Sequence, residues 1–328
     1  MRFVVGLLVL ALAVCGAAYW WVTKQALHVP VDGYALTIKS GATLRSVARD
    51  LAAADILPAD WTLVALARLE RADRTIKAGN YEIAAGTTLV ALLAQLTQGD
   101  VTQSSIAIVE GWTVRDLKAA LKSDAGIVKR VVDLPDAELM RSIGATETAP
   151  EGLFFPDTYF FASGSTDVAL LKRAYRMMHE RLDLAWAARA SDLPLASPYE
   201  ALTLASIVEK ETGRAADRPL VAAVFINRLK LGMRLQTDPS VIYGIGERFD
   251  GNLRKSDLET DHAFNTYVRS GLPPTPIALP GQASLDAVLH PAAVPYLYFV
   301  ARGDGSSEFS TSIADHNRAV AKYQHGRR

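Results

Sequence analysis

The chain has 328 residues, half of them hydrophobic and 21% charged, which is enough for two globular units with buried cores and too apolar for a disordered protein. Thirty-five basic residues balance thirty-five acidic ones with no dense Lys/Arg block, which argues against nucleic acid as a partner. Cys15 is the single cysteine, and six scattered histidines without an HExxH or CxxC pair give no sign of a protein-built metal site.

Phe3 to Val22, FVVGLLVLALAVCGAAYWWV, runs for twenty residues without a charge, about 30 Å as a helix and so the thickness of a bilayer core. Tyr19, Trp20 and Trp21 stand where an interfacial aromatic belt belongs, and Lys24 follows. Residues 1–24 are therefore expected to be a cytoplasmic tip and a single transmembrane anchor, with the remaining chain on one side of the membrane. A cleaved signal peptide is the rival reading, opposed by bulky aromatics where a signal peptidase needs small residues.

A short unit recurs three times within residues 25–124. KSGATLRSVARDL (39–51), AAGTTLVALLAQL (84–96) and VEGWTVRDLKAAL (109–121) align on glycine, threonine and an apolar stripe. Gly41, Gly86 and Gly111 supply a turn, and Thr43, Thr88 and Thr113 are N-caps for helices that follow strand-like runs. The pattern predicts a small α+β region. It resembles a LysM-type carbohydrate-binding module, which implies contact with N-acetylglucosamine-containing chains; a purely structural role for the turns stays open.

Residues 125–150 are polar and acidic at their centre and are expected to be a linker or variable insertion. EGLFFPDTYFF (151–161) reads as extended and opens the region 151–328, expected to be a mixed α/β catalytic domain. A helix is predicted from about Asp167 to Arg189, with Leu170, Leu171, Ala174 and Met178 inward. Ser197 and Pro198 give a well-formed start to a second, and a third spans about Pro219 to Leu231. GMRLQTDPSVIYGIG reads as irregular, the Pro- and Gly-rich 265–281 excludes a regular helix, and Gly303-Asp304-Gly305 predicts a hairpin.

The helix begun at Ser197 ends in an awkward way. At about 100° per residue, Leu204, Val208 and Glu211 share one stripe, so Glu211 points with the apolar side chains, while Glu209 lies about 200° away and faces solvent or another layer. A carboxyl removed from water has a raised pKa and can act as a general acid, as cleavage of a glycosidic bond requires. Snorkelling to solvent, or pairing with Arg214 or Arg218, is the bland alternative. Ser206 and Lys210 lack the spacing of a Ser-Lys hydrolase, and no GxSxG, phosphate loop or GxGxxG is present. A conventional glycosidase needs two carboxylates across the bond; Asp157, Asp238 and Asp257 are available, and sequence places none of them opposite Glu211.

SIVEKET, VFINRLKLGMRLQTDPSVIYGIGER, DLETDHAFNTYVRSGLPPTPIALPG, HPAAVPYLYFVARGDGSSEF and a late HN, together with EGLFFPDTY, resemble the endolytic murein transglycosylases, the MltG or YceG-like family, over essentially the whole chain. The resemblance implies a membrane-anchored lytic transglycosylase of the bacterial inner membrane. Its catalytic domain would face the periplasm and cut nascent peptidoglycan internally to leave 1,6-anhydro-MurNAc ends, with no cofactor or metal. Glu211 matches the family's catalytic glutamate. Glu209, Gln236, Thr237, Asp238, Tyr243, Asn265 and Tyr267 are candidate substrate-binding residues, each with a structural alternative. Asn227 and Arg228 are candidate supporting residues, and Leu272-Pro273-Pro274 a candidate cleft wall. The implied partners are glycan strands, synthases of the penicillin-binding type and the membrane. The rivals are a non-catalytic glycan-binding or cell-division scaffold and a conventional hydrolase of the same polymer.

Overall fold

A computed structural model describes residues 20–324 apart from 21, 31–32, 40, 73–75, 99–102 and 163. The expected anchor falls almost entirely outside the described residues, among which no helix is long and apolar enough to cross a membrane. The chain is α+β and divides into two compact units. Among the described residues, one gathers those up to 105 with 126–128 and 160–165; the other gathers 106–125, 129–159 and those from 166 onward.

In the first unit β1 (Tyr34–Ile38), α1 (Leu44–Ala53), α2 (Asp60–Leu69) and β2 (Gly79–Ile83) form a β-α-α-β arrangement, with β1 antiparallel to β2 from Tyr34↔Ile83 to Ile38↔Gly79. Leu36 and Ile38 on one face of β1 meet Tyr81 and Ile83 of β2 and the buried stripes Val47/Leu51, Leu63/Leu66 and Leu92/Leu96 of α1, α2 and α3 (Leu89–Gln98). The repeated sequence unit has a repeated geometry. Gly41, Gly86 and Gly111 take φ of 83, 88 and 77°, a region open to glycine without a Cβ penalty. Thr43 and Thr113 close capping boxes at α1 and at α4 (Val114–Ser123), while Thr88 accepts from Ala91 N at 3.3 Å. The third copy nevertheless belongs to the second unit, which contains the whole of α4.

Residues 125–150 are more ordered than their composition suggests. They carry β4 (Ile127–Val128) and α5 (Asp136–Ile143), whose Leu139, Met140 and Ile143 are buried and whose end is a left-handed Gly144. β3 (Gln103–Ala107) pairs with β5 (Thr158–Ala162), and β4 pairs with β6 (Ser165–Thr166). The first carboxylate of α6 (Asp167–Ala187), fully buried, accepts the backbone N–H groups of Arg130, Val131, Val132 and Val168 at 2.8–2.9 Å.

At the centre of the second unit lies α7 (Pro198–Glu211), packed against α6, α8 (Arg218–Lys230), α9 (Asp238–Ile245) and α11 (Gln282–Leu289). Ser197 caps it and Glu200 reaches back to Ala196 N. The stripe of Leu204 and Val208 is buried as the sequence predicts, yet every residue from Ala201 to Val208 is buried, so this is a core helix and not a surface one. Its other faces mix Leu202 and Ile207 with small residues, and the buried hydroxyls are satisfied: Thr203 donates to Tyr199 O and Ser206 to Thr203 O. Around it α10 (Lys255–Glu259), the hairpin of β7 (Tyr298–Ala301) and β8 (Ser307–Ser310), and α12 (Ile313–Gln324) complete the unit.

Replacing Asp167 with Ala takes the acceptor from four backbone donors, of which those of Val131 and Val132 are buried. Such groups cost roughly 1–3 kcal/mol each when unsatisfied, partly relieved by relaxation, so Asp167→Ala is expected to lower unfolding stability by about 3 kcal/mol or more in a denaturant titration.

Candidate functional site

Three consecutive residues end α7, and each is committed to a different neighbour. Glu209 accepts from Gly281 N at 3.0 Å and Ser284 Oγ at 2.7 Å, at the open start of α11, with Arg218 3.4 Å away. Lys210 donates to Gly111 O at 3.1 Å. Glu211 accepts from Thr237 Oγ1. Neither arginine of the bland reading pairs with Glu211, since Arg218 faces Glu209 and Arg214 lies 3.9 Å from Asp217.

Glu211 keeps part of its surface accessible, while desolvation of its carboxyl pushes its pKa up to about 7. Thr237 opposes this by donating to the charged form, Asp238 reinforces it by like-charge repulsion, and the Arg228 guanidinium opposes it. The helix ends add to the asymmetry. Glu211 sits at the C-terminus of α7, where the backbone dipole disfavours negative charge, whereas Asp238 occupies the first turn of α9, where the dipole favours it.

The turn facing Glu211 is held from behind. Gln236 adopts φ of 50°, unusual for a residue with a side chain, and its N–H donates to Thr266 O at 3.1 Å. Thr237 N donates to Thr266 Oγ1 at 3.0 Å, and Ser240 links Thr237 O with the same hydroxyl at 2.9 Å each. Arg228, nearly buried, donates to the carbonyls of Arg234, Leu235 and Leu297 and lies 5.1 Å from the Tyr298 ring centroid. Tyr267 donates to Asp238 at 2.5 Å. Glu211, Thr237, Asp238 and Tyr267 thus come together, with Arg228 beside them and the exposed Gln236 at the turn's edge.

Other candidates are occupied elsewhere. Asn265 is fully buried, its amide donating to the carbonyls of Asp257, Leu258 and Thr260 and its oxygen accepting from Tyr267 N, so it shapes a loop. Asn227 secures the Val294 and Tyr296 carbonyls. Glu209 serves the start of α11. Tyr243 lines a cleft of about 1180 Å³ whose wall includes Lys210, Pro239, Thr275 and Ile277, chain neighbours of Glu211, Asp238 and the proline segment. That cleft does not include the Glu211 carboxyl among its lining groups. Ser206 ties the proline segment to α7 by accepting from Ile277 N at 2.9 Å. Among the described residues no group of His, Cys, Asp or Glu is gathered as metal ligands would be.

A profile of the YceG-like family matches residues 36–322. The chain belongs to the YceG-like family. A Bacillus subtilis (strain 168) protein named endolytic murein transglycosylase is 31% identical over 306 residues, covering 88% of this chain and 84% of that one. A Streptococcus pneumoniae (strain R6) protein of the same name is 27% identical, and the match spans 76% of this chain and 51% of that protein. Among solved structures, a YceG-like protein of Listeria monocytogenes has a TM-score of 0.54 at 25% identity, covering 88% of this chain and 99% of that chain.

The raised carboxyl has a measurable consequence in this member of the YceG-like family. Unfolded Glu211 ionises near 4.5 and the folded group at about 7, so its contribution to stability is complete below 4.5 and is lost as pH rises through 7. Glu211→Gln removes that loss. The variant is expected to match the parent near pH 4 and to exceed it by roughly 2–3 kcal/mol at pH 8 in paired denaturation curves.

Proposed function

We propose that this chain is an endolytic murein transglycosylase that cuts nascent peptidoglycan between N-acetylmuramic acid and N-acetylglucosamine without consuming water. The observation that carries the reading is the desolvated Glu211 carboxyl, placed against Thr237 and Asp238, with its pKa pushed up to about 7. Protonated Glu211 donates to the glycosidic oxygen as the bond to C1 of the muramic residue breaks. That residue's N-acetyl group and the nearby Asp238 carboxylate stabilise the developing positive charge. Glu211, now ionised and supported by Thr237 and Arg228, takes the proton from the C6 hydroxyl, whose oxygen bonds to C1. The products are a free 4-hydroxyl and a 1,6-anhydro end, and Glu211 regains its proton.

The neighbours of Glu211 suit both halves of this cycle. Dehydration and Asp238 hold the proton before cleavage, and Thr237 and Arg228 tolerate the charge after it. In this reading residues 3–22 anchor the chain in the inner membrane with the catalytic unit in the periplasm. The β-α-α-β unit offers a glycan contact, and penicillin-binding-type synthases supply the strands. A hydrolytic variant has one observation in its favour, because Asp238 lies close enough to repel the Glu211 charge and could orient water.

The deciding experiment digests uncrosslinked glycan strands with the parent and with Glu211→Gln. The parent is expected to yield anhydro ends, lighter than reducing ends by one water in mass spectra; reducing ends would favour hydrolysis, and intact strands would exclude the enzyme reading. Glu211→Gln is expected to bind strands and to lose about 10³-fold or more in kcat. Activity should fall as pH rises through about 7. Thr237→Val, which removes a donor to the ionised form, is expected to move that alkaline limb to higher pH in kcat profiles.

A further inference from the structure

Another carboxyl of the same unit, that of Glu151, is buried and has no step in the chemistry above. Glu151 is 6% exposed, and burial pushes its pKa up to about 7. Its two oxygens accept from Val114 N at 3.1 and 3.2 Å at the start of α4, and Oε2 also accepts from the Tyr243 hydroxyl at 3.1 Å. The turn presenting it is tightly seated, because a Cβ on Gly152 would come within 2.4 Å of Pro276. Glu151 is therefore fixed where α4, α9 and the proline segment meet, and residues of all three line the 1180 Å³ cleft.

What this fixes is the orientation of one aromatic ring. Tyr243 is half-buried on α9, its ring 4.9 Å from that of Phe264 at an interplanar angle of 62°, and its hydroxyl is drawn to Glu151. A ring held at its edge by one aromatic and at its tip by a carboxylate has little rotational freedom left, and a pre-oriented face on a cleft wall is what a pyranose ring stacks on. An apolar residue at position 151 would fill the same space, cap nothing and leave the Tyr243 hydroxyl without a partner.

Resting on the transglycosylase reading, we propose that Glu151 is a positioning residue that holds Tyr243 as a saccharide-stacking wall of the cleft next to Glu211. Its effect on the reaction runs through substrate binding and not through proton transfer.

The test uses the full-length, detergent-solubilised protein and uncrosslinked peptidoglycan strands. Glu151→Ala, Tyr243→Phe, Tyr243→Ala and the double variant Glu151→Ala/Tyr243→Ala are compared in kcat and KM. Dissociation constants for the same strands are taken in a Glu211→Gln background, where binding is read independently of cleavage. Glu151→Ala is expected to weaken binding about fivefold to tenfold, with kcat within about twofold. Tyr243→Phe should weaken it by a similar factor and Tyr243→Ala by more. The double variant should be no worse than Tyr243→Ala alone, and Glu151→Gln, which still reaches Val114 N and the Tyr243 hydroxyl, should restore binding. Should Glu151→Ala fail to fold, Glu151→Asp, too short to serve both partners, takes its place in the cycle. Additive losses, unchanged binding, or a fall in kcat with KM unchanged would overturn the proposal. Absence of cleavage by the parent would instead count against the transglycosylase reading, because the binding comparison does not depend on it.

Discussion

Keeping the Glu211 carboxyl away from water while leaving it reachable is the constraint on which the second unit depends. A surface helix would not do this, since its last turn is hydrated. Here eight consecutive buried residues, Ala201 to Val208, carry the helix through the core before its last turn presents the acid. The charge is then disfavoured by lost hydration, by the α7 dipole and by Asp238, and is admitted by Thr237 and Arg228. These influences act in opposite directions on one proton, and their near-balance puts the group within reach of both protonation states at neutral pH.

The ending Glu209-Lys210-Glu211 shows why that helix end cannot slip. Successive side chains project about 100° apart, so one turn reaches Ser284 and the start of α11, the Gly111 carbonyl and the Thr237 hydroxyl at the same time. A register shift of one residue would lose all three. Glu209 and Lys210 are the anchors, and their engagement settles the rotation that aims Glu211.

Much of this was legible from local pattern. The inward aim of Glu211 follows from a seven-residue step on one stripe, the three glycine turns follow from self-similarity, and the hairpin follows from its Gly-Asp-Gly tip. What local pattern missed depends on distant contact. The helix α9 hides in DPSVIYGIG because a proline and two glycines depress its propensity, and its buried Ser240 reads as polar until Thr266 is seen beside it. Asn265 looks like a sugar ligand by type, yet three carbonyls of its own loop consume its amide. The role of Glu151, at the head of an aromatic run, is not legible locally because its partners lie 37 and 92 residues away. The signal was present only as a carboxylate in an otherwise apolar stretch.

The distribution of the three glycine-threonine units has a practical side. Two copies lie in the first unit and the third supplies α4 to the second, although all three look alike in sequence. An expression fragment cut after residue 124, where the repetition ends, would strip the second unit of the helix whose start receives Glu151. Starting near residue 106 keeps that helix, so the seam in the primary structure and the seam in the folded molecule call for different scissors.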